Sequence, residues 1–280
     1  MLVSIIIPNY NHAQFLHQRI DSVLNQTYQN FEMIILDDCS SDYSREIIEK
    51  FRYHPKIKEI IYNERNSGST FKQWQKGIEI ATGEFIWIAE SDDYCESSFL
   101  ENVLKGFDNN ENIGLSYCKS IRVDKEGNVI DDLSFWYQDL DADRWQNPYI
   151  NNGRDEVNDY LSYKNTIPNA SAVLFRKDLV NFDFSKLVQF KLCGDWYFWL
   201  QILSNSDIAF SNKGLNFFRL HSSTVRNKTT NENAINKERQ IINNFLVNNK
   251  FHELRNAKKL QSHPLISFSK NLAYRVFKLK

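Results

Sequence analysis

Short apolar runs alternate with amphipathic segments through the first half of the chain, and this rhythm constrains the fold more than any other feature. Leu2 to Ile7, Phe31 to Leu36, Ile57 to Tyr62 and Phe85 to Ala89 have the length and β-branched or aromatic content of buried strands. Between and after them, apolar residues recur at helical spacing: Leu16, Ile20, Val23 and Leu24, then Ile47, Ile48 and Phe51, then Phe71, Trp74 and Ile78, then Phe99, Leu100, Val103 and Leu104. Parallel strands need crossover connections, and helices supply them. The pattern therefore predicts an α/β fold with a mainly parallel central sheet flanked by helices. Sheets of this kind bind ligands beyond the carboxyl ends of their strands. The polar clusters fall there: Asn9-Tyr10-Asn11 after the first run, Asp37 to Asp42 after the second, Asn63 to Gly68 after the third, and Glu90-Ser91-Asp92-Asp93 after the fourth.

Beyond residue 110 the rhythm changes. Ile113 to Val123 and Val129 to Tyr137 read as strands joined by a turn at Lys125-Glu126-Gly127-Asn128, so antiparallel elements are expected to complete the sheet. Ala172 to Phe175 reads as a strand, Asp195 to Leu203 as a helix and Leu215 to Leu220 as a last strand, while residues 139–170 resist assignment. From about Asn231 the pattern is helical. The expected organisation is one catalytic domain over 1–225 and a helical, basic C-terminal appendage over 226–280.

Bulk properties exclude some functions. The net charge of -1 gives no general attraction to nucleic acid. It is unevenly spread, because the segment from Lys250 to Lys280 holds eight Lys or Arg against the single acid Glu253. There Leu265, Phe268, Leu272 and Phe277 interleave with Lys270, Arg275, Lys278 and Lys280, a pattern suited either to peripheral contact with an anionic membrane or to packing on the protein's own acidic body. The four cysteines form no metal-spaced pair and suit a reducing, cytoplasmic setting. No signal peptide and no apolar run of membrane-spanning length is visible.

Adjacent carboxylates at Asp92 and Asp93 repel one another unless a cation or helix N-terminal amides compensate. A divalent ion with oxygen ligands would do so. The competing reading is helix capping by Ser91 or Asp92, with Glu96 in the first turn. Carboxylates at Asp37, Asp38 and Asp42 suit hydrogen bonds from a base or ribose, and the competing reading is capping of the next helix, by Asp42 or by Asp37.

Six motifs in order resemble the family 2 glycosyltransferases of the GT-A fold: Ile5 to Asn11, Leu24-Asn25-Gln26-Thr27, Ile34 to Asp42, Asn66-Ser67-Gly68, Ala81 to Ile86, and Glu90 to Asp93. The resemblance implies an inverting sugar transferase that uses a nucleotide-sugar, commonly a UDP-sugar, and acts on a hydroxyl acceptor in capsule or lipopolysaccharide synthesis. It implies nucleotide contacts from Pro8, Asn9, Tyr10, Asn11, Asp37, Asp38, Arg65, Asn66, Gly68, Ser91 and Asp92. It also implies Mn²⁺ or Mg²⁺ held by Asp92, Asp93 and His221, the last in an Arg219-Leu220-His221 element whose Arg219 would add positive charge. Glu90 departs from the family's usual Asp at the head of its motif. Asp195, in Cys193-Gly194-Asp195-Trp196, occupies the place of the family's catalytic base, although the acid that often precedes it is Gly194 here. Trp136, Trp145 and Tyr149 are candidates to stack on a glycan or lipid-linked acceptor, whereas Trp74 reads as helix core.

Two other classes compete. A non-catalytic nucleotide or glycan binder on the same fold would not need Asp92, Asp93 and Asp195 together. A nucleotidyltransferase would need a glycine-rich basic loop after the first strand, and Asn9-Tyr10-Asn11-His12 is not one.

Overall fold

A computed structural model describes residues 1–108, 110–222 and 232–251. The tail residues singled out above, Leu265 to Lys280, lie outside the described residues. Among the described residues no helix is long and apolar enough to cross a membrane.

The first half follows the alternation read from the sequence: β1 (Val3–Asn9), α1 (Ala13–Leu24), β2 (Phe31–Asp37), α2 (Ser44–Glu49), β3 (Ile57–Tyr62), α3 (Thr70–Ile80) and β4 (Phe85–Ile88). A short β5 (Tyr94–Cys95) leads to α4 (Phe99–Leu104), and β6 (Ile113–Val123) pairs with β7 (Val129–Asp131). Then come α5 (Ser134–Tyr137), β8 (Tyr149–Asn151), α6 (Gly153–Glu156), β9 (Val173–Arg176), α7 (Phe184–Leu187), α8 (Gly194–Leu203), β10 (Asp207–Arg219) and α9 (Glu232–Asn248).

One sheet carries all ten strands, with the order β3-β2-β1-β4-β9-β6-β10-β5 and with β7 and β8 attached to β6 and β10. β1 to β4 are parallel where they pair. β9 runs antiparallel between β4 and β6, and β10 returns parallel to β6. The carboxyl ends of β1, β2, β3, β4, β6 and β10 therefore share one edge.

Both faces of the sheet are covered, which explains why the strands read as continuous apolar runs. In β1, Ile6 faces a core with Phe71 and Trp74 of α3 and Trp199 of α8, while Ile5 and Ile7 face a second core with Leu16 and Ile20 of α1. α9 adds Ile242 and Leu246 to the first core, so the helix beyond residue 225 packs with the sheet's own helices.

Three expectations are corrected. The strand expected over Val129 to Tyr137 ends at Asp131: the Asp131 and Asp132 carboxylates accept hydrogen bonds from the Leu133 and Ser134 amides at 3.0 and 3.1 Å and turn the chain into α5. The last strand starts at Asp207, not Leu215, because the polar stretch from Ser211 to Gly214 is a shift of register within the strand and not a loop before it. Trp145 is no acceptor platform. It is 1% exposed, stacked on Tyr137 at 4.3 Å, and its indole N–H donates to the Tyr117 hydroxyl at 2.9 Å. Trp136 and Tyr149 are half-buried, and Trp74 lies in the core.

A side chain at Gly77 would meet Ile6 Cγ2 at 2.5 Å, so α3 lies against β1 as closely as a bare backbone allows. Gly77→Ala should cost about 1–3 kcal/mol through overpacking and lower the melting temperature by several degrees in a thermal unfolding scan.

Candidate active site at the carboxyl ends of the strands

The first two strands end in a shared polar knot. Asn9 is buried and donates from Nδ2 to Asp37 Oδ1 at 2.8 Å, and Asp37 Oδ2 accepts the Ser40 amide at 2.9 Å. Asn11 takes a left-handed backbone (φ 56°) and accepts from the Ser41 amide at 2.8 Å. Pro8 is buried in β1, and Tyr10 stands exposed at the mouth. Asp42 accepts hydrogen bonds from the Ala13 amide at 2.9 Å and the Ser44 amide at 3.0 Å, tying together the starts of α1 and α2.

Asp38 has a different task from its neighbour. Its carboxylate accepts from Asn63 at 2.7 Å, the Ser67 hydroxyl at 2.7 Å, the Ser67 amide at 2.9 Å and Gln73 at 2.9 Å. Asp38 thus folds the loop after β3 back onto the site. In that loop Asn66 donates to the Asp38 carbonyl, Asn66 Oδ1 accepts the Gly68 amide, Gly68 has φ +68°, and Arg65 is exposed.

The end of β4 separates its two carboxylates. Asp92 Oδ2 lies 2.9 Å from His221 Nε2, and His12 lies beside them with its Nδ1 2.9 Å from the hydroxyl of the buried Ser91. One ligand atom from each of His12, Asp92 and His221 can be chosen so that all lie within 4.8 Å of one another. Asp93 faces the other way, into the sheet. Its Oδ1 accepts the Arg219 amide at 2.9 Å, and its Oδ2 accepts from Asn169 at 2.8 Å and Ser171 at 2.6 Å. The structure therefore groups Asp92 and His221 as expected, but with His12 in the third place and Asp93 turned away, its oxygens engaged by three protein donors. Neither Ser91 nor Asp92 caps a helix, because β5 intervenes and α4 begins only at Phe99.

Arg219 is likewise corrected. It is 2% exposed, and its guanidinium donates to the carbonyls of Asp92 (2.9 Å) and Lys125 (2.8 Å) and to Gln18 Oε1 (2.6 Å). It clamps the end of β4 to the β6–β7 turn and offers its charge to the scaffold, not to an incoming phosphate.

The carboxylates titrate apart for stated causes. Burial pushes Glu90 up to about 8, helped by the negative charge of Asp92 and opposed by the hydrogen bond that Trp74 Nε1 donates at 2.9 Å. Burial and Asp92 together raise Asp93. Burial also pushes on Asp92, but His12 and His221 outweigh it and hold Asp92 below the usual carboxylate range.

Asp195 sits in the first turn of α8, half-buried, with Oδ2 accepting from Asn165 at 3.0 Å and Oδ1 from the Trp196 amide at 2.7 Å. Cys193 is the N-cap. The turn before it reaches the loop after β3, since Lys191 Nζ donates to the Gly68 carbonyl. Gly194 lies against Phe71, which contacts Trp74 edge-on at 5.0 Å, and Trp74 holds Glu90, so packed rings link α8 to the acidic end of β4.

His12 is the site residue the sequence reading missed. The signal was its position: it follows the end of β1, at the N-cap of α1, on the sheet edge that also carries Asp37, Asp92 and His221.

An α/β sheet with loops gathered at its carboxyl edge, an acidic turn after β4 and a carboxylate opening a later helix is the architecture of the GT-A transferases. The model of the family "Glycosyl transferase family 2" matches residues 4–180, and the chain belongs to that family. An uncharacterized glycosyltransferase of Haemophilus influenzae is 27% identical over 254 residues, covering 88% of this chain and 74% of the relative. The putative teichuronic acid biosynthesis glycosyltransferase TuaG of Bacillus subtilis is 36% identical over 104 residues, which is 37% of this chain and 41% of the relative. The structure of S. aureus TarS 1-349 in complex with UDP-GlcNAc shares the fold, with TM-score 0.69 and 21% identity over 92% of this chain and 69% of that one. Against the TarS complex with UDP, this chain spans 61% of the TarS chain.

A Cβ at Gly194 would lie 2.3 Å from the Phe71 ring and 2.9 Å from Phe190 Cβ. Gly194→Ala should move the start of α8 and reduce glycosyl transfer by roughly tenfold or more while nucleotide binding persists, measured by initial rates and by nucleotide-induced thermal stabilisation.

Proposed function

We propose that this chain is an inverting, metal-dependent glycosyltransferase that moves a sugar from a UDP-sugar to a hydroxyl of a growing cell-surface polysaccharide. The observation that carries the reading is the convergence of Asp92, His221 and His12 after β4, with Asp195 in the first turn of α8, a helix joined to that end of β4 through Phe71, Trp74 and Glu90. The loops after β1, β2 and β3, from Pro8 to Asn11, at Asp37 and from Arg65 to Gly68, would receive base and ribose. Asp38 serves them by holding the third loop. TarS with UDP and UDP-GlcNAc, and TuaG's teichuronic acid role, support the uridine nucleotide and the polysaccharide destination.

The donor set suits a divalent ion. One carboxylate and two imidazoles whose ligand atoms lie within 4.8 Å of one another can share a single ion, and imidazole nitrogen favours Mn²⁺ over Mg²⁺. His12, Asp92 and His221 would hold the ion, with Asp93 fixing the turn behind them. When bound, the ion stabilises the charge of the departing diphosphate. The Asp195 carboxylate takes the proton of the acceptor hydroxyl as that oxygen attacks the anomeric carbon from the face opposite the nucleotide. A single displacement of this kind inverts configuration. Asn165 and the Trp196 amide hold the carboxylate in place for the transfer. A cytoplasmic location, where UDP-sugars are made, belongs to the same proposal.

The test is release of UDP from a panel of nucleotide-sugars with Mn²⁺ and with a chelator. Release should require Mn²⁺, and Asp195→Asn should lower it by roughly 10²–10⁴-fold with UDP affinity retained. His12→Ala and His221→Ala should each raise the Mn²⁺ concentration needed for half-maximal rate at least about tenfold. Binding of UDP without turnover of any donor would instead mark a non-catalytic binder.

A further inference from the structure

One buried carboxylate outside the site has no role in the chemistry above. Glu238 lies on α9 and is 6% exposed. Its Oε1 accepts the Lys191 amide at 2.6 Å, and its Oε2 accepts the Leu192 and Cys193 amides at 3.1 and 2.8 Å. Three successive backbone N–H groups thus converge on one carboxylate, immediately before Gly194 and Asp195. Consecutive amides of this kind form a concave anion site, and charge-assisted bonds to it are shorter and stronger than neutral ones. The carboxylate itself is firmly anchored. Ile242 and Leu246 of α9 are buried, Phe245 contacts Tyr197 of α8 edge-on at 5.4 Å, and Arg154 donates to the Asn249 carbonyl at the far end of the helix.

We propose that Glu238 is a positioning residue for glycosyl transfer: through the amides of residues 191–193 it sets where α8 begins, and therefore where the Asp195 carboxylate stands relative to the acceptor hydroxyl. The inference rests on the reading of Asp195 as the base. It makes α9 a working part of the transferase and extends the site's support far beyond the strand ends. The amides need two acceptor oxygens, and a glutamine offers only one, so the variants should grade.

The experiment measures kcat, donor KM and UDP affinity for Glu238→Gln and Glu238→Ala, alone and combined with Asp195→Asn, using Mn²⁺ and the donor of the panel turned over fastest. Glu238→Ala should lower kcat by roughly 10–100-fold, since displacement of about 1 Å at a reacting group costs that much, and Glu238→Gln should fall between it and wild type. Donor KM and UDP affinity should stay within about twofold, and Glu238→Ala should cause no further loss on top of Asp195→Asn. An unchanged kcat in Glu238→Ala, or the same proportional loss in the Asp195→Asn background, would overturn the inference; if Glu238→Ala does not fold, Glu238→Gln decides by the same criteria. Near wild-type turnover by Asp195→Asn alone would instead remove Asp195 as the base, a separate and recognisable failure.

Discussion

Two carboxylates on adjacent residues at the end of a buried strand cannot share one environment without mutual repulsion, and this site is arranged around their separation. Asp93 turns into the sheet, where Asn169, Ser171 and the Arg219 amide receive it. Asp92 turns outward to His221 and His12. Arg219 connects the two halves: its amide holds the Asp93 carboxylate, and its guanidinium holds the Asp92 carbonyl. Because Arg219 ends β10 and His221 follows two residues later, the mixed second half of the sheet delivers both the clamp and the outer imidazole.

The same division of labour recurs at the end of β2. Asp37 binds locally, to Asn9 and Ser40, while Asp38 reaches across to residues 63–73 and ties the third loop to the end of β2. α8 follows the logic at longer range, with Gly194 admitting the close approach to Phe71 and Asp195 fixed by Asn165.

The parallel strands and their helices were legible because burial on both faces forces continuous Ile, Leu and Val runs, and because crossover helices keep an amphipathic period. The site edge followed from the position of the polar clusters. What escaped the sequence depended on direction and on distance along the chain. Asp92 and Asp93 are indistinguishable as letters, and only the partners waiting at Asn169, Ser171, Arg219 and His221 tell them apart. His12 is a single histidine whose companions lie about 80 and 209 positions away. Trp145 carries the same polar sequence surroundings as a surface aromatic, yet Tyr117 and Tyr137 enclose it. The strand end at Asp131 was hidden because Phe135, Trp136 and Tyr137 have strand-like composition, while the Asp side chains that break the ladder act through their own neighbouring amides.

The most direct measurement is the anomalous diffraction of crystals grown with Mn²⁺ and UDP. The account predicts one Mn²⁺ peak in bonding contact with Asp92 and with the imidazoles of His12 and His221, bridging to the UDP phosphates, and an Asp93 carboxylate still bonded to Asn169 and Ser171. An ion ligated by Asp93, or a UDP diphosphate bound away from Asp92, would contradict it.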